Sequence, residues 1–359
     1  MEHSKTPKRI IYYDFLRILA TISVVSLHTA AQNWSSVNVE SFEWNVFNVV
    51  DSATRWGVPI FVMISGALFL NSSNPLNVKK LYQKNIIRIM TAFLFWSAVY
   101  AADNFFMGTD LKSTISSFIK GKYHLWFLYM ITGLYIITPI LRGITVSKKI
   151  TEYTLMVGFI FIFLIPWLFN LLNCLQLPYT STGIKALNAA FTNTHLCSNS
   201  EYIVYFILGH YISHYEISDY ARKPICIIFT FIAGYLTTIG LTIWYSVKLG
   251  KPNVLFYSNS SVNVLLMSVS IFLFAKYILS KIELSQKGLK ILEKLSKYTF
   301  GAYLVHVLVL EKINEWFHFN TLSCHPIISV LILIVCTTIL SFIISAVLNH
   351  FPKLNKYIT

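Results

Sequence analysis

The sequence predicts an all-α polytopic membrane helix bundle with about ten transmembrane helices, and three observations predict it. Of 359 residues, 55% are hydrophobic and only 12% charged, too little charge to cover a soluble protein of this length. Apolar runs near or above eighteen residues recur along the whole chain, each long enough to cross hydrocarbon as a helix. The basic residues lie in clusters between alternate runs instead of in one patch, which is the pattern that orients membrane proteins.

Hydropathy places the spans at 12–31, 47–70, 86–106, 123–142, 153–175, 201–214, 225–247, 258–279, 298–317 and 326–349. The sixth is short for a crossing, so it tilts little or borrows residues from the preceding loop. Lys5, Lys8 and Arg9 precede the first span; Lys79, Lys80, Lys84 and Arg88 follow the second; Arg142, Lys148 and Lys149 follow the fourth. Arg222 and Lys223 follow the sixth, a run from Lys276 to Lys297 follows the eighth, and Lys353 and Lys356 follow the tenth. Twenty of the 29 basic residues thus fall on one side. Positive-inside bias makes that side cytoplasmic, with both termini there. An odd number of spans would scramble the alternation.

The net charge of +14 therefore reports topology, and no nucleic-acid partner is expected. Loops near 32–46, 107–122, 176–200 and 248–257 fall on the outer side and are richer in Ser, Asn and Thr. The first apolar stretch ends in TAAQ and resembles a signal peptide, but it contains Arg17 and nine more spans follow, so a retained helix is expected. No repeat or linker divides the chain, which reads as one domain over 1–359 with no soluble domain appended. Five cysteines without CxxC spacing offer neither a disulfide framework nor a zinc site. Cys197 and Cys324, both in outer loops, are one pair that could bridge.

Charged or titratable groups inside spans are costly and point to function or to pairing. In DFLRILATISVVSLH, Arg17 and His28 stand eleven residues apart, about three full turns and about 16 Å of rise, so they share one face. A cation near the cytoplasm and an imidazole deeper on the same wall suit a long ligand with an anionic head, the shape of an acyl-CoA. Arg17 would hold phosphate while His28 acts at the thioester. The structural alternative is that Arg17 snorkels and pairs with Asp14, and His28 bonds a neighbouring helix.

Arg55 in DSATRWGVPIFVMISGALF has Asp51 one turn before it, a natural ion pair; it is also placed to contact the donor or a sugar-phosphate lipid. His124 and Trp126 in YHLWFLY sit at the expected outer interface, suited to an aromatic belt or to stacking on a sugar ring. His306 in SKYTFGAYLVHVLV falls near mid-membrane, where a buried histidine is commonly a hydrogen-bonding core residue. Glu201 and Glu311 lie near outer span ends and are weaker candidates. No GxSxG elbow, Walker loop or HExxH is present. What remains is a site built on histidine, with no metal and no permanently bound cofactor expected.

With these residues the sequence resembles the acyltransferase-3 family of integral-membrane acyltransferases. The basic residue, ten spacers and histidine are Arg17 and His28; the second-span signature is Val58, Pro59, Phe61, Ser65 and Gly66; HLWFLY, LYIITPILR and FGAYLVH match later spans. The likeness runs from residue 12 to 306 and is similar in NVVDSATRWGVPIFVMISG to WecH-type surface-polysaccharide O-acetyltransferases, with Asp51 standing where that subgroup is expected to carry an amide. The resemblance implies transfer of acetyl from cytoplasmic acetyl-CoA to a hydroxyl of a surface glycan or its lipid-linked precursor, in a bacterial cytoplasmic membrane. His28 would be catalytic and Arg17 and Arg55 donor-binding, with Asp14, Asp51, His124, Trp126 and His306 supporting or on the acceptor side. Intramembrane Arg and His also suit a glycan-lipid flippase or permease, and an acyltransferase acting on peptidoglycan or a small acceptor would share the donor site.

Overall fold

A computed structural model describes residues 9–71, 75–175, 181–192, 200–351, 355 and 357–359. Among the described residues there is no strand, as expected where backbone polar groups have no water to bond and must satisfy one another within helices. Among the described residues, eight helical segments are long and apolar enough to cross a membrane. The sixth and ninth expected spans are helices as well, but one has 14 residues and the other carries Lys297, Glu311, Lys312 and Glu315 along its apolar part. Both pack inside the bundle, so all ten expected segments are helical, the second in two pieces.

In chain order, α1 (Ile11–Ala31) leads through an outer loop to α2 (Phe42–Thr54) and α3 (Gly57–Phe69). A short α4 (Val78–Lys80) passes through a π turn into α5 (Ile87–Phe106), and α6 (Leu111–Lys120) precedes α7 (Trp126–Thr145). Then α8 (Lys148–Gly158) and α9 (Ile165–Leu175) flank a second π segment, followed by α10 (Ser181–Thr192) and the short α11 (Glu201–His214). The chain continues with α12 (Pro224–Leu249), α13 (Val262–Tyr277), α14 (Gln286–Phe317) and α15 (Pro326–His350).

Helix α1 is the central element, touching α2, α3, α13, α14 and α15. Tyr12, Leu16, Ala20 and Val24 bury one side of it, and Val25, Thr29 and Ala30 another. Helix α15 is peripheral and leaves Ile328, Leu331, Ile332, Val335 and Ile339 exposed, an apolar stripe that in this class of protein meets lipid. Without a hydrophobic force between helices in a bilayer, close packing must hold the bundle. The α3–α11 crossing shows how: a Cβ on Gly66 would lie 1.7 Å from the Phe206 carbonyl oxygen, and one on Gly209 would lie 2.0 Å from the Met63 oxygen. Two glycines let the backbones touch, and this seats the short α11 firmly in the core.

Three elements differ from the sequence expectation. The second span begins at Phe42, where the Ser41 hydroxyl accepts from the Trp44 N–H at 3.1 Å, and it breaks at Arg55–Trp56. Pro59 lacks the N–H that would bond the Arg55 carbonyl, so the helix opens there. Helix α14 starts at Gln286, capped by Ser285 on the Gly288 N–H at 3.1 Å, so the basic run to Lys297 is helix and not loop. The outer loop 107–122 contains α6, capped by Asp110 on the Ser113 N–H at 3.0 Å, with Leu111, Ile115 and Ile119 exposed along one face. Of the pair considered for a bridge, Cys324 is a free thiol and Cys197 lies outside the described residues; so do Lys5, Lys8, Lys353 and Lys356.

Candidate active site

Near its start, α1 is anchored by Asp14, which is only 2% exposed. Its carboxylate accepts from Arg9 Nε at 2.6 Å, from the Ser296 hydroxyl at 2.6 Å and from Arg17 at 3.1 Å. Arg9 also reaches Glu293 at 2.5 Å, tying α1 to α14. Arg17 is thus aimed by Asp14 through one of its N–H groups, yet 31% of its side chain stays accessible. The accessible part faces a cavity of about 310 Å³, at the lower end of small-molecule sites. Pairing with Asp14 and exposure to an internal space coexist, so the two readings of Arg17 are not exclusive.

The cavity lies between α1, α3, α5, α7 and α14. Besides Arg17 its wall carries Arg88, Asn85, Ser65 and Tyr135, with Phe61, Phe127 and Phe300 supplying apolar surface. Arg88, read from the sequence only as a topology marker, bonds the backbone oxygen of Thr359 through Nε at 3.1 Å and lies 5.5 Å from the Phe300 ring centre. Two guanidinium groups thus share one apolar-walled space. Tyr135 donates to or accepts from Ser65 at 3.3 Å.

At the far end, Tyr303 belongs to the same wall, and behind it three histidines from three helical segments converge. Ring centres of His28 and His306 are 5.2 Å apart, His124 and His306 5.0 Å, and His28 and His124 6.3 Å. Tyr303 lies 5.8 Å from His306 and 5.6 Å from His124, and its hydroxyl donates to the His124 carbonyl. Tyr123 stacks edgewise on His28 at 5.1 Å.

Hydrogen bonds set two of the tautomers. His306 Nδ1 is 2.6 Å from the Tyr303 carbonyl, and His124 Nε2 is 3.3 Å from the Leu304 carbonyl. A carbonyl only accepts, so those nitrogens carry the protons. His306 Nε2 and His124 Nδ1 then hold lone pairs, and neither has a partner. Both residues are buried, at 0% and 1% exposure, while His28 is half-buried. Of the three imidazoles, His28 is the least buried.

Ion pairs frame the outer rim: Lys122 with Glu311 at 2.6 Å, and Lys312 with Asp103 at 2.6 Å and Glu315 at 2.5 Å. Tyr100 holds α5 to α14 by donating to the Leu304 carbonyl at 2.9 Å. The remaining expected residues stand apart. Arg55 does not line the Arg17 cavity; it bonds Asp51 at 2.5 Å and lies 3.9 Å over the Tyr257 ring. Trp126 is 41% exposed and stacks on Tyr202 at 5.6 Å, away from the imidazoles. Glu201 touches none of these groups. Arg88, Tyr135 and Tyr303 were not singled out in the sequence; the first sits in a basic cluster and the others among many aromatics. Among the described residues no group of three or more His, Cys, Asp or Glu is arranged to hold a metal ion.

None of the three histidines lines the cavity of Arg17; the cavity ends at Tyr303, whose ring contacts His306 and His124 behind it. A cation-lined, apolar space next to bases with free lone pairs suits a donor with an anionic head and a reactive carbonyl. No curated protein and no solved structure matches the chain. A family model for an acyltransferase domain does match, over residues 10–346. Covering nearly the whole chain, that match and the helical architecture place this protein in the acyltransferase-3 family of multi-pass membrane acyltransferases.

Proposed function

We propose that the protein is an O-acetyltransferase of a bacterial cytoplasmic membrane, moving acetyl from cytoplasmic acetyl-CoA to a sugar hydroxyl of a surface polysaccharide or its lipid-linked precursor. One observation carries the reading: Arg17 and Arg88 line a cavity whose far wall, Tyr303, is in ring contact with the imidazole cluster. Arg17 and Arg88 hold the phosphates of the donor. Phe61, Phe127 and Phe300 flank its extended arm, and the thioester reaches His28.

There His28 takes the proton of the acceptor hydroxyl as its oxygen attacks the acetyl carbon. The carbon–sulfur bond breaks, and the imidazolium returns its proton to the departing thiolate. The lone pairs of His124 and His306 have no partner at rest and stabilise the imidazolium once it forms. A route through a transient acetyl-imidazole uses the same residues. The likeness of NVVDSATRWGVPIFVMISG to polysaccharide acetyltransferases supports the sugar acceptor.

The test is mass spectrometry of surface glycan from cells with and without the gene. An ester on specific sugar residues that disappears with the gene is the expected result. Identical glycans, with purified protein that neither binds nor consumes acetyl-CoA, would overturn the reading.

A further inference from the structure

One face of α2 carries a second concentration of polar groups that the donor cavity does not use. Trp44, Asn48, Asp51 and Arg55 follow one another at i, i+4, i+7 and i+11, a single helical stripe. Each bears a buried polar atom without a partner: Trp44 Nε1, Asn48 Nδ2, Asp51 Oδ1 and Arg55 Nε. Trp44 and Asn48 are 0% exposed and Asp51 is 1%. Their other atoms are engaged. Asn48 Oδ1 accepts from Tyr257 and, at 3.3 Å, from Ser52, while Asp51 Oδ2 holds Arg55. Native interiors rarely leave buried donors and acceptors unpaired, and a row of four on one stripe in a membrane-embedded helix is a built feature that calls for a polar occupant.

Aromatic rings surround it. Trp34 lies 5.7 Å from Trp44 and 5.6 Å from Tyr257. The stripe begins at the outer loop and ends beside α1, where Ser23 donates to the Thr54 carbonyl at 2.6 Å, less than two turns before His28. At that end Arg55 is close enough to His28 for its charge to act on the imidazole, and it stands outside the cavity of Arg17 and Arg88. Three donors, one carboxylate acceptor and flanking aromatic rings are the chemistry that recognises a polyhydroxylated sugar ring: hydroxyls pair with both kinds of group, and the apolar ring face packs on indole.

We propose that the Trp44–Asn48–Asp51–Arg55 stripe with Trp34 and Tyr257 is the acceptor subsite, binding a sugar ring so that one hydroxyl reaches His28. This rests on the acetyl-transfer reading and moves Arg55 from the donor to the acceptor. The face is closed over in this structure, so the sugar enters by parting α2 from Trp34 and Tyr257, and its hydroxyls take the place of the Tyr257–Asn48 bond that this breaks.

The experiment compares Trp44→Phe, Asn48→Ala and Asp51→Ala with wild type and with a gene deletion, in cells that make the natural glycan. It reads ester content by mass spectrometry in the lipid-linked and polymer fractions separately, which tells the two sources of the sugar apart. Calorimetry on the purified variants reads acetyl-CoA affinity. The expected result is a tenfold or greater loss of ester for Asn48→Ala and Asp51→Ala, with acetyl-CoA affinity within twofold of wild type. Trp44→Phe, which removes the N–H with part of the indole, loses severalfold, and a monodisperse elution profile of each purified variant guards against simple misfolding. Full ester content in all three variants would overturn the subsite while leaving acetyl transfer intact, and so would a loss of acetyl-CoA affinity equal to the loss of ester. No difference between wild type and deletion would overturn both.

Discussion

Alanine at position 66 should force α3 and α11 apart. Its Cβ would fall 1.7 Å from the Phe206 carbonyl oxygen and 2.5 Å from the carbonyl carbon, where ordinary contact begins near 3.4 Å. The obstacle is backbone in the middle of a helix, so no side chain can rotate away and the helices must separate by well over 1 Å. A gap of about 0.5–1 Å already forfeits a quarter to a half of each contact's dispersion energy. Overpacking where relief is easy costs about 1–3 kcal/mol; with both backbones rigid we expect about 3 kcal/mol or more. Gly209→Ala meets the Met63 oxygen at 2.0 Å and should cost as much. Because one separation relieves both clashes, the double variant should fall short of the sum by at least about 1 kcal/mol. Gly133, with nothing within 4 Å of its Cβ position, is the control: alanine there should be neutral or stabilise by up to about 1 kcal/mol. Unfolding in detergent, followed by size-exclusion after heating steps, measures all four variants. Since α3 carries Phe61 and Ser65 of the cavity wall, acetyl-CoA affinity should drop with stability. Melting of Gly66→Ala within a degree of wild type, or full additivity in the double variant, would refute the close-packed crossing.

The site makes further claims. His28→Ala should lower turnover by about 10²–10⁴-fold with the protein still monodisperse, and normal acetylation in that variant would end its role. Arg17→Ala and Arg88→Ala each remove charge-assisted bonds worth about 1.5–3 kcal/mol, so the Michaelis constant for acetyl-CoA should rise roughly ten- to a hundredfold while maximal turnover changes little; an unchanged constant removes that arginine from the donor site. His306→Phe keeps ring volume and deletes the free lone pair, so turnover should fall by about the same factor with donor affinity intact, as a bond to a charged imidazole is lost. Asp14→Asn removes the anion between Arg9 and Arg17 and should cost about 1–3 kcal/mol of stability, the worth of hydrogen bonds to a charged group, since the arginines left behind are 47% and 31% exposed; a melting curve that overlays wild type would show that Asp14 does not anchor α1.

What the residues alone determined is the class and the path of the chain. Hydrocarbon offers no partner for backbone N–H and C=O groups, so long apolar runs must be helices, and every expected span is helical. Arg17 and His28 could be set on one face of α1 because both belong to one helix of fixed pitch. The same local rule exposed the Asp51–Arg55 pair. Interfacial α6 and the early start of α14 were less legible, since both are mixed in polarity and settle on their neighbours' surfaces.

Contacts between distant residues belonged to the tertiary structure alone. His124 and His306, each an isolated histidine in sequence, meet with ring centres 5.0 Å apart across just over half the chain, and their tautomers follow from carbonyls on a neighbouring turn and a neighbouring helix. Arg88 looked like one more positive charge near a span end until the bundle turned it toward the cavity of Arg17. Arg55, grouped with the donor because it is a cation in a span, is held against Tyr257 from a loop two hundred residues later. A helix period says which residues share a face; which faces meet is decided by close packing among helices, and in a bilayer that packing depends on shape at points such as Gly66 and Gly209, where two backbones touch.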